Sequence, residues 1–87
     1  MTNKKIDVYS LIKPEINQLI KIGIENANLD CRLLLSKSMK RSSTLYNHEN
    51  INISENEIKN FHSLIQQRLG GKPVSRIINK RNFWKKD

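Results

Sequence analysis

Few side chains in this chain could do chemistry, and they are scattered. There is one cysteine, Cys31, and two histidines, His48 and His62. A run of cations follows (Arg68, Lys72, Arg76, Lys80 and Arg81), next to the aromatic pair Phe83-Trp84. A thiol is a nucleophile only as its thiolate, which needs a base or cation beside it. No such partner is identifiable for Cys31, so the expected role is packing. His48 falls in the loop-like stretch NHENIN and is expected to face solvent. His62 lies beside an apolar helical face, where a boundary position with a wet ring tip is expected. One cysteine allows neither an internal disulfide nor a cysteine-cluster metal site, and there is no His-Glu-x-x-His. Gly70-Gly71 lack the spacing of a phosphate-cradling loop. The acidic residues stand mostly where helices should start, and capping explains them. The chain is not expected to be catalytic alone, and no cofactor-binding or metal-binding residue is assigned to it.

The cation run is the informative constellation. Arg68, Lys72, Arg76, Lys80 and Arg81 are spaced so that several can share one side of the last helical turns. A basic surface beside aromatic rings suits phosphates and stacked bases. It equally suits an acidic protein face. No helix-turn-helix, zinc-finger or RNA-recognition signature accompanies it. Packing against apolar neighbours is the commoner fate of a pair such as Phe83-Trp84.

The elements that must position these residues read as helices. Asp7 can cap a first helix whose apolar stripe runs through Val8, Leu11, Ile12, Ile16, Leu19 and Ile20 and ends near Gly23. Pro14 removes one backbone donor from that helix, so a bend with both halves packed is expected there. After Asn28, the run LDCRLLLSKSM reads as a helix buried on more than one side, with Arg32, Ser36, Lys37 and Lys40 marking its wet side. Ser42 and Ser43 are expected to cap a turn or two of helix at Leu45-Tyr46. Ser54-Glu55-Asn56-Glu57 is a capping box, with Ile53 available as a hydrophobic staple. Ile58, Phe61, Leu64, Ile65 and Leu69 then trace one face up to Gly70-Gly71. Pro73 starts a short last helix through Val74, Ile77 and Ile78, and Asn79 can end it. The alternation in INIS is too short to predict a strand. The expected fold is all-α, a small bundle of four to five helices ending in a short extended segment. Leu33, Leu34, Ile58, Phe61, Leu64 and Ile77 are its expected core.

Composition fits one such domain. The 87 residues are 37% hydrophobic and carry a net charge of +8. Residues 1–30 net zero, residues 31–60 net +2 and residues 61–87 net +6. No apolar h-region or membrane-length apolar run is present, so a soluble cytoplasmic protein with no membrane partner is expected.

Two segments together resemble a known family. LDCRLLLSKSM at 29–39 and RLGGKPVSRIINKRNFW at 68–84 are similar to the N-terminal domain of the release-factor glutamine methyltransferases, the HemK family. The matching positions are Leu29, Asp30, Leu33, Leu34 and Leu35, then Arg68, Gly71, Pro73, Ile77, Phe83 and Trp84. Cys31, Arg32, Ser75, Arg76, Asn79 and Asn82 depart from the family pattern. The resemblance implies a helical recognition domain at 1–82, with a linker starting at 83–87. That domain would help dock a peptide-chain release factor onto a methyltransferase domain that uses S-adenosylmethionine to methylate the glutamine of a Gly-Gly-Gln motif. The family's Asn-Pro-Pro-Tyr motif has no counterpart here. The implied partners are therefore a release factor and the chain's own C-terminal methyltransferase domain. The contact candidates are Arg68, Lys72, Arg76, Lys80 and Arg81. An independent basic module that binds RNA or DNA is the alternative.

Overall fold

The computed structural model describes residues 4–41 and 43–78. The order of elements is β1 (Lys4–Asp7), α1 (Val8–Lys21), α2 (Ala27–Ser38), β2 (Asn50–Ile53), α3 (Glu55–Leu69) and α4 (Val74–Ile78). The four helices match the expected bundle, but the fold is not purely α-helical. β1 pairs antiparallel with β2 in the register Lys4↔Ile53, Lys5↔Asn52, Ile6↔Ile51 and Asp7↔Asn50. The alternation in β2 is real, since Ile51 and Ile53 are buried while Asn50 and Asn52 are exposed. A four-residue strand is unstable by itself. What makes this one form is a partner more than forty residues away.

The sheet also starts α1. The first amides of a helix have no partner within it. Here the Val8 N–H donates to the Glu49 carbonyl (2.8 Å) and the Tyr9 N–H to the Asn47 carbonyl (3.1 Å). The Ser10 N–H donates to Asp7 Oδ2 (3.0 Å), as the sequence predicts for that cap. Hydrogen bonds from Ser10 hold the Asp7 carboxyl below its ordinary pKa. α1 then runs as one element through Pro14, so no second helix begins there. Ser10 and Pro14 both lie on the exposed side, where water can take the carbonyl that Pro14 leaves unpaired.

α2 is the central helix and packs against α1, α3 and α4. Ala27, Cys31, Leu34 and Leu35 are fully or almost fully buried on it. Leu33 and Ile58, expected in the core, are only partly buried against it, and Leu29 is 41% exposed. Ser36, expected on the wet side, is completely buried, and its hydroxyl donates to the Ser43 carbonyl. Arg32 Nη1 donates to the Leu45 carbonyl (3.3 Å). These two side chains strap the 43–46 segment across the back of α2. That segment is irregular and not helical, although Leu45 is buried. Ser42 and the stretch from Asn79 onward, including Phe83-Trp84 and the expected linker, lie outside the described residues.

Three helices end in the same way. After α1, the Gly23 N–H bonds the Ile20 carbonyl and the Ile24 N–H bonds the Leu19 carbonyl. After α3, Gly71 bonds Arg68 and Lys72 bonds Gln67. After α2, Lys40 bonds Lys37 and Arg41 bonds Ser36. Each is a Schellman motif, which needs a left-handed residue at its corner. Gly23 (φ 93°) and Gly71 (φ 103°) adopt that backbone freely, but Lys40 is held at φ 60°. Lys40→Gly should therefore stabilise the domain by about 0.5–1 kcal/mol, read as a higher urea midpoint at unchanged slope.

The capping box is fully formed: the Glu57 N–H donates to Ser54 Oγ (3.2 Å) and the Ser54 N–H to Glu57 Oε1 (3.0 Å). Val8, Ile12 and Leu19 of α1, the buried face of α2, and Phe61, Leu64 and Ile65 of α3 form one core. Val74, Ile77 and Ile78 of α4 close it. Among the described residues no helix is long and apolar enough to cross a membrane.

Candidate partner-binding surface

The corner between α3 and α4 carries the predicted cations, and it treats them differently. Arg68, in the last turn of α3, turns inward. Its Nε donates to Asp30 Oδ2 (3.2 Å) in the first turn of α2, and its Nη1 donates to the Lys72 carbonyl (3.3 Å). The two side chains of this ion pair are only 20% and 13% exposed. A guanidinium so engaged is a brace between helices. Lys72 and Arg76 point outward instead. Both are exposed, and Lys72 Nζ donates to Gln67 Oε1 (3.3 Å). With Pro73 and Ser75 they form a solvent-facing ridge over the buried Val74, Ile77 and Ile78. Lys80 and Arg81 lie outside the described residues.

The reactive candidates are dispersed. Cys31 is completely buried, and desolvation first, then the Glu15 and Asp30 carboxylates, push its thiol up to about 12. At neutral pH it carries almost no thiolate, so it is a packing residue. His48 is exposed in its loop and stacks on Tyr46, with ring centroids 6.0 Å apart. His62 has the partner that sequence reasoning missed: its Nε2 lies 3.4 Å from Glu15 Oε2 on α1. Glu15 occupies the buried stripe of α1 with Val8, Ile12 and Leu19. A carboxylate at a core position of that stripe was the available signal. The histidine side chain is 54% exposed and the carboxylate 12%, so the pair bridges core and surface between α1 and α3. Among the described residues no group of three or more His, Cys, Asp or Glu could hold a metal ion. Gly70 and Gly71, the only adjacent glycines in the sequence, terminate α3.

The two segments that carried the resemblance meet in space. Asp30 belongs to the first and Arg68 to the second, and the ion pair joins them across 38 positions. A family described as the PrmC N-terminal domain matches residues 11–78. The chain is 32% identical over 81 residues to the release factor glutamine methyltransferase of Aliivibrio fischeri, covering 91% of this chain and 28% of that protein. It is 34% identical over 61 residues to the protein of the same name from Shewanella oneidensis, covering 69% of this chain and 21% of that protein. The chain thus spans about a quarter of the length of the curated relatives it matches. No solved structure matches it.

Proposed function

Because the chain belongs to the PrmC N-terminal domain family, we propose that it is the recognition domain of a release factor glutamine methyltransferase. In this reading it acts in the cytoplasm, in translation termination, and helps dock a peptide-chain release factor. The chemistry belongs to a methyltransferase domain that holds S-adenosylmethionine and modifies the glutamine of a Gly-Gly-Gln motif. In this reading the cofactor is held by that domain and not by the residues of this chain.

One observation carries the docking half of the reading. Within the matched span 11–78, the α3–α4 corner presents Lys72 and Arg76 to solvent on a ridge whose apolar underside is fixed in the core. Exposed cations on a rigid corner suit an acidic protein face, with electrostatics setting encounter rate and orientation. The double charge reversal Lys72→Glu/Arg76→Glu tests this. Both residues are exposed, so folding should be nearly unaffected. Affinity for a release factor should fall about tenfold, roughly 1.4 kcal/mol, mainly through slower association. Unchanged binding kinetics in a folded double variant would remove this ridge from the interface. The nucleic-acid alternative rests on the net charge of +6 in residues 61–87, of which Lys72 and Arg76 are the exposed cations among the described residues. It gains ground only if RNA or DNA binding appears, falls steeply with added salt and is lost in the same variant.

A further inference from the structure

Arg68 heads the basic run in the sequence, yet its side chain is turned away from any partner. Its guanidinium reaches two other elements at once: Nε donates to Asp30 on α2, and Nη1 to the Lys72 carbonyl in the α3–α4 turn. Lys72 follows the left-handed Gly71 and precedes Pro73, and its N–H is already bonded to the Gln67 carbonyl. Pro73 has no N–H with which to brace the turn. α4 then starts at once, with the Arg76 and Ile77 amides bonded to the Pro73 carbonyl. The described residues of α4, Val74–Ile78, form little more than one turn, which takes its direction from packing. The apolar contacts of Val74, Ile77 and Ile78 attach it, but apolar burial is not directional.

We infer that Arg68 is a positioning residue for the binding surface. Its planar guanidinium, held on one side by Asp30 and on the other by the Lys72 carbonyl, sets the angle at which α4 leaves the bundle, and so where Lys72 and Arg76 point. A lysine cannot reproduce this. Its ammonium carries the charge but lacks the fixed fork of donors that spans two acceptors. The inference goes beyond the docking role and does not depend on the partner's identity.

Residual dipolar couplings of the backbone amides of this chain test it, in the wild type, Arg68→Lys, Arg68→Met and Asp30→Asn. In Arg68→Lys and Arg68→Met the couplings of Val74–Ile78 should move away from their wild-type values while those of α1, α2 and α3 stay. Asp30→Asn keeps an acceptor and should leave α4 closer to the wild type than either arginine variant does. Wild-type couplings across α4 in Arg68→Lys would overturn the inference, because charge alone would then suffice. Loss of couplings throughout α1–α3 in Arg68→Lys would also overturn it, because the arginine would then support the whole fold and not the angle of one helix.

Discussion

Phe61→Ala is expected to lower the urea midpoint of the domain sharply. Among the described residues Phe61 is the largest fully buried side chain, and it lies on α3, facing the core shared with α1 and α2. Truncating a buried phenylalanine costs about 3–5 kcal/mol, through lost transfer free energy and the cavity left behind. A domain of this length has a total stability of about 4–13 kcal/mol by the usual per-residue range. The substitution should thus remove a large part of the total. Urea unfolding followed by circular dichroism should show a collapsed midpoint or no folded baseline. The control is Ile58→Ala on the same helix: Ile58 is only partly buried, so its truncation should cost clearly less.

The second large effect is at Asp30. Asp30→Ala leaves the Arg68 side chain, only 20% exposed, without its carboxylate. Breaking such a pair from one side is expensive, about 2–3 kcal/mol here, because both side chains keep some contact with water. Asp30→Asn retains an oxygen acceptor and should cost about 1 kcal/mol, the value of an ordinary hydrogen bond. The Asp30→Leu/Arg68→Met pair removes both charges together and should lie closer to the wild type than Asp30→Ala alone. A double-mutant cycle on urea midpoints measures this, with strong non-additivity as the expected outcome.

What the sequence revealed of the fold follows the range of each interaction. The Asp7 cap, the Ser54/Glu57 capping box and the Gly70-Gly71 terminus involve residues within a few positions of each other, and the structure contains all three. The sheet was not legible because KKID and NINI are each too weak alone and are brought together only by the folded chain. Long-range strapping also hides Ser36. A serine on the presumed wet side of α2 is buried because the 43–46 segment folds back over it. Leu29 shows the opposite error: an apolar residue in a dense run is left 41% exposed, because the described elements pack on the other sides of α2. At the candidate surface, spacing grouped Arg68, Lys72 and Arg76, which all lie at the α3–α4 corner. It could not separate Arg68 from Lys72 and Arg76, because the difference is Asp30, which lies on another helix.

Amide chemical-shift mapping of this chain during titration with a release factor bearing the Gly-Gly-Gln motif tests the docking account most directly. The predicted result is saturable shifts concentrated at Lys72, Ser75 and Arg76, weakened by added salt and reached in Lys72→Glu/Arg76→Glu only at about ten times more release factor. An absence of shifts at saturating release factor, alongside salt-sensitive shifts at the same residues with RNA, would contradict it.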